Sequence, residues 1–194
     1  MAWPVLFVLV GTGTAHMLAS QYHVTDVEHQ REEVRARMEP IRAELSRELF
    51  AAIHLTQGIA SLVMVDGEIS ESRFQALAAD LLGRSPVMRN IALAPGNVIR
   101  SVYPLEGNRP ALGLAYASSP EQWPSVKRMM EENRIVVAGP VPLVQGGYGV
   151  IARTPIFLTA PTSAKGERHY WGLVSTVIDF PALLARTTLA RSSQ

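Results

Sequence analysis

Between residues 90 and 157 the sequence is a succession of short β-type runs, each stopped by proline or glycine, and no other feature limits the fold as much. The runs cover residues 91–93, 98–103, 111–116, 135–138 and 149–152. Turn signals stand between them at Pro95-Gly96, Pro104, Gly107-Asn108, Gly139-Pro140 and Gly146-Gly147. β-Branched and aromatic runs with such punctuation predict hairpin-linked strands, and so an antiparallel sheet. One stretch breaks the pattern. SSPEQWPSVKRMMEENR predicts an inserted helix over 120–133, capped by Ser119 with Pro120 in its first turn.

The flanks are helical. From His23 onward, Val24, Val27, Val34, Met38, Ile41, Leu45, Leu49, Ala52, Thr56, Ile59 and Val63 recur at steps of three and four with a single seven, which is helical periodicity. The first half is densely charged and its apolar stripe is narrow, as in a coiled-coil seam with a second subunit. Pro40 predicts a kink or a split. For residues 41–64 the same period fits a helix lying on its own domain equally well. Asp66-Gly67 ends this helix, Ser70 opens another through Phe74, Leu77, Ala78 and Leu81, and Gly83 closes it. The sheet is expected from about Val87. TAPTSAKGERHY reads as a loop, residues 170–178 as β, and Asp179 with Pro181 caps a last helix over PALLARTTLARSSQ. Helices around an antiparallel sheet make the fold class α+β.

A chain of 194 residues has room for one ordinary domain with an accessory element. Its 18 basic and 17 acidic residues give a net charge of +1, so no field favours nucleic acid as a partner. The absence of cysteine removes disulfides, thiolate metal sites and thiol nucleophiles, and suits either redox compartment. The first 25 residues contain no Asp, Glu, Lys or Arg, and run as WPVLFVLVGTGTAHMLA over 3–19. Such a run approaches the ~20 apolar residues that span a bilayer. Trp3 and Tyr22 bracket it as interfacial aromatics, and Gly11 and Ala15 form a small-residue pair suited to close helix approach. A membrane anchor over 1–22 is preferred to a cleaved signal peptide, because no basic region precedes the run and Met17-Leu18-Ala19 is a poor cleavage site.

The order NIALAPGN, YPLEGN, ALGLAY, then GPVPLVQGGYG with the following TPIF, and WGLVSTVIDFPALL near the end, resembles the CHASE family of sensory domains over about residues 41–186. The resemblance implies an extracytoplasmic input domain of a receptor histidine kinase or a nucleotide cyclase such as a diguanylate cyclase. It implies a PAS-like antiparallel sheet with inserted helices behind a long N-terminal helix, here preceded by one transmembrane helix. The expected organisation is an anchor over 1–22, a stalk helix over 23–64, the sensory domain over 65–186, and over 187–194 the start of an exit helix. A second membrane span and the output domain would lie beyond residue 194, unless the chain is a stand-alone module that works through a partner. In plant cytokinin receptors of the family, an aspartate in the strand reading ALGLAY here pairs with an adenine-type ligand, and a neighbouring strand offers backbone groups. The corresponding positions are Ala115 and Val137. Without that carboxylate a hydrogen bond worth about 1.5 to 3 kcal/mol is gone, which argues against a cytokinin.

No residues suggest catalysis. The histidines (His16, His23, His29, His54, His169) form no metal-ligand spacing and no nucleophile elbow, and Asp66, Asp80 and Asp179 add no cluster. Gly146-Gly147-x-Gly149 reads as a hairpin turn rather than a phosphate cradle. A binding pocket would be lined by inward sheet residues: Leu93, Tyr103, Leu114, Tyr116, Val137, Tyr148 and Thr154, with Ala115 added by the resemblance. The three tyrosines stand out because a buried phenol needs a partner that a ligand can supply. The expected protein is therefore a sensory domain without cofactor or metal, on the outer (periplasmic) face of the cell membrane. Its expected partners are a small molecule, the bilayer through residues 1–22, and a second copy through the stalk. The rival readings are a ligand-free dimerisation and anchoring module, and a secreted hydrolase.

Overall fold

The computed structural model describes residues 3–159 and 167–187, with side chains from residue 31 onward. The chain divides into two units, Met1–Ala43 and Glu44–Gln194. Helix α1 (Trp3–Asp66) contributes to both and continues through Pro40, so the proline lies inside the helix and does not split it. In the first unit Val34 and Met38 are exposed. The side chains of the expected anchor over 1–22, and residues 188–194 of the expected exit helix, lie outside the described residues.

In the second unit the helical stripe read from the sequence is the buried one. Ala52, Thr56, Ile59 and Val63 are all within 1% of full burial, and Leu45 and Leu49 pack beside them. Gly67 ends α1 in the left-handed region at φ 83°, its amide donating to Val63 O at 2.8 Å. Ser70 caps α2 (Glu71–Gly83), accepting from the Arg73 amide, and Phe74 and Ala78 turn inward. By length and composition Arg31–Asp66 could also cross a membrane. Of its apolar residues from Ala52 on, Ala52, Ile59, Ala60 and Val63 are buried in this core and Val65 is exposed.

Five strands follow: β1 (Met88–Pro95), β2 (Ser101–Tyr103), β3 (Val136–Pro142), β4 (Tyr148–Thr159) and β5 (Arg168–Asp179). They form one antiparallel sheet in the order β2-β1-β5-β4-β3, the PAS-like arrangement expected from the sequence. Helix α3 (Trp123–Glu132) sits in the β2–β3 connection, and α4 (Phe180–Ala185) follows β5 with Asp179 as its cap. Gly172 is obligatory: at φ 155° a side chain there would collide with Ala94 O and come within 2.7 Å of Pro95 Cα on β1.

Three expectations are corrected. Residues 111–116 are not a strand but two 3-10 turns, Arg109–Ala111 and Tyr116–Ser118, joined to the sheet side only by the bridge Val98–Ala115. Gly113, at φ 80°, donates to Ile99 O, and this local bonding replaces a ladder. Helix α3 starts three residues late, at Trp123, because Ser119 O accepts from the Gln122 and Trp123 amides in a preceding turn. Strand β4 does not stop at residue 152 but runs on to Thr159.

Candidate ligand site

Alternation along the strands sends side chains to two faces. One face carries Ile91, Leu93, Val150, Ile156, Val174 and Ile178 against α1 and α2. The opposite face carries Ala92, Ala94 and Leu173 under the 3-10 turns and α3, together with polar residues. Cross-strand register places Asn90 beside Val177, Ala92 beside Ser175, and Ser175 beside Arg153 on this second face.

A cavity of about 20 Å³ lies there, lined among others by Asn90, Ala92, Tyr116, Gln122, Gln145 and Ser175. That is room for about one water molecule. Polar groups bracket it. At one end Tyr116 Oη and Ser175 Oγ lie 2.7 Å apart, and Arg153 Nη2 donates to Gln122 Oε1 at 2.8 Å. At the other end Asn90 Nδ2 donates to Asn108 Oδ1 at 2.7 Å, and Gln145 Nε2 to the same oxygen at 3.3 Å. Residues 143–145, which lead into the predicted glycine turn, line one side of the cavity. Gly146 and Gly147 have φ of 84° and 77°, and Arg89 Nη1 donates to Gly146 O at 2.9 Å.

Arg153 is the unusual member. It is 1% exposed, its guanidinium carbon is 5.4 Å from the centre of the Tyr116 ring, and its Nε and Nη1 have no hydrogen-bond partner among the described residues. Burial lowers its pKa, with Tyr116 opposing the shift. Burial in turn raises the Tyr116 pKa, with Arg153 and the bond to Ser175 opposing, so this phenol stays neutral. Tyr170, whose pKa burial also raises, donates to Asn97 Oδ1 at 2.6 Å nearby.

The structure divides the eight residues singled out in the sequence. Leu114 and Tyr116 line the cavity. Ala115 is half-buried at the start of the second 3-10 turn. Leu93, Tyr103 and Val137 face α1 and α2 in the aliphatic core. Thr154 is on that face too, its Oγ1 buried and unpartnered beside a shallow groove of about 280 Å³ lined by Gln57, Ala60 and Met64. Tyr148, at 60% exposure, is a surface residue at the start of β4. Sequence reasoning missed Arg153, Gln122, Asn90 and Ser175. The signal for Arg153 was present: a lone cation within GVIARTPIF, where a half-solvated strand would alternate polar residues.

The sheet order and the helix inserted between β2 and β3 are PAS-like. The sequence matches the family model of the CHASE domain over residues 27–194, and the chain belongs to that family. CHASE domains are extracytoplasmic sensory domains, and the expectation drawn from the sequence motifs holds. Among solved structures, an "extracellular ligand binding receptor" from Desulfohalobium retbaense is similar at a TM-score of 0.53 with 18% identity, over 80% of this chain. This chain spans only about a quarter (26%) of that receptor's length. The Escherichia coli DcuS sensor domain aligns at a TM-score of 0.44 with 12% identity, over 75% of this chain and 95% of that one. No curated protein matches the sequence.

Proposed function

We propose that this chain is the small-molecule-binding input domain of a membrane-bound receptor of the histidine kinase or diguanylate cyclase type. Residues 1–22 anchor it in the cell membrane and the stalk of α1 pairs with a second copy, leaving the domain on the periplasmic side. The ligand occupies the cavity between the sheet and the α3 side. The observation that carries this reading is the set of polar residues Gln122, Tyr116 and Ser175 lining that cavity, with the buried Arg153 bonded to Gln122 behind them, in a family whose members are sensors. A cavity sized for one water is a closed state, since small-molecule sites hold about 300 to 1,000 Å³. Binding then enlarges the cavity, and the segment that lines it at residues 143–145, tied by Arg89 and Gln145, is the part we propose to move. A ligand shifts the protein only by binding one arrangement better than the other. The open arrangement is the one it selects.

The test is native mass spectrometry with thermal-shift screening of the full chain in detergent, against a broad metabolite set. A retained or stabilising small molecule, weakened by Leu114→Trp at the cavity wall, is the expected result. No stabiliser and no retained mass, together with a stable dimer, would favour the anchoring and dimerisation module, which the exposed stripe of Val34 and Met38 supports.

A further inference from the structure

We infer that the ligand of this site is a monocarboxylate with an apolar body, and that Arg153 is the group that captures it. The inference rests on the cavity being the ligand site. A guanidinium has five N–H donors in a planar fork and stays charged in proteins. In Arg153 one of its terminal nitrogens is engaged by the neutral amide oxygen of Gln122, while Nε and Nη1 have no partner among the described residues. A buried cation without a counter-ion is costly, and such groups are normally paired. No lining residue of the cavity is acidic, and the Tyr116 phenol is neutral. Among the described residues no acidic side chain pairs with it, and the partner we assign is an anion from outside the chain.

Its charge and shape follow from the surroundings. The lining residues include no Lys, Arg or His, so a dianion such as a phosphate monoester would keep one charge uncompensated. A single carboxylate balances a single guanidinium and fits its fork. The wall between the polar ends is apolar, with Ala92, Ile99, Leu114, Ile151 and Val177, which suits a hydrocarbon or aromatic body. Gln122 Oε1 occupies the place of a carboxylate oxygen, and Tyr116 and Gln122 stand between Arg153 and the cavity.

The experiment is equilibrium binding to the full chain in detergent, by thermal shift and calorimetry. The probes are sodium acetate through octanoate, benzoate and phenylacetate, each beside its neutral primary amide. Wild type, Arg153→Met and Arg153→Lys are compared, with unliganded melting curves to show that each folds. The expected result is saturable stabilisation by at least one acid, with its amide and the Arg153→Met variant at least about tenfold weaker. Arg153→Lys retains part of the affinity. An amide that binds as well as its acid, or full binding by Arg153→Met, overturns the carboxylate assignment and leaves a sensor of neutral ligands. If no acid binds, the assignment fails as well. The metabolite screen then decides separately whether the cavity binds anything.

Discussion

The two faces of the sheet are built by different rules. Against α1 and α2 the face is aliphatic. Its side-chain polar contacts there are few: Thr176 Oγ1 donates to Thr56 Oγ1 at 2.8 Å and Thr56 Oγ1 to Ile53 O at 2.9 Å, while Thr154 Oγ1 has no partner among the described residues. Against α3 and the 3-10 turns, alanines and aliphatics share the surface with Asn90, Gln122, Arg153 and Ser175, and two nitrogens of Arg153 have no partner among the described residues. A fold that stabilises itself with the first face has no need of a buried charge on the second. The contrast sets a stabilising face against the one proposed to bind.

The largest expected effect lies on the aliphatic face. Phe74 is fully buried there, and Phe74→Ala should cost about 3 to 5 kcal/mol in denaturant unfolding. On the other face a drastic substitution should act in the opposite direction. Arg153→Met removes an unpaired buried charge and should raise the stability of the unliganded chain by about 1 to 4 kcal/mol, as replacement of buried ions by apolar side chains does. A loss of that size in the melting curve would make the guanidinium a structural tie and erase the contrast. A smaller effect sharpens the first face: Thr56→Val strands the Thr176 hydroxyl and should cost about 1 to 3 kcal/mol, while the double change Thr56→Val with Thr176→Val should recover most of it. The smallest effect is the pH dependence of the second face. Burial raises the pKa of Tyr116 and of Tyr170, so the folded protein keeps protons that the unfolded chain releases. Stability should be level below the ordinary phenol value of about 10 and fall as the pH climbs past it. The lowered pKa of Arg153 has the opposite sign, but arginine keeps its charge to about pH 12, so the phenols set the slope. Tyr116→Phe should flatten that alkaline fall in a pH series of thermal melts.

The aliphatic face was legible in the sequence because periodicity reports it directly. Ala52, Thr56, Ile59 and Val63 keep a helical step, Phe74 and Ala78 repeat it, and Ser70, Gly67 and Asp179 mark ends by capping chemistry that is local. The polar face was not legible, because its residues come together only through register. Arg153 meets Ser175 across two strands, Gln122 from a helix cap and Tyr116 from a 3-10 turn, at separations of 22 to 37 residues. Local signals also misled. Arg153 and Pro155 read as the end of a strand, yet β4 continues because past Arg153 it has no β3 neighbour, and a proline is tolerated on such a one-sided stretch. The motif ALGLAY looked like a strand by composition, but Gly113 in the left-handed region turns it into a cover over the cavity.

The measurement that tests the account most directly is hydrogen exchange on the full chain, with and without the compound that stabilises it most. The account predicts that the ligand changes protection in residues 116–122, 143–147 and 150–154, and leaves residues 74–82 of α2 as they were. A change confined to α1, α2 and the groove beside Thr154 would place the ligand on the other face and contradict it.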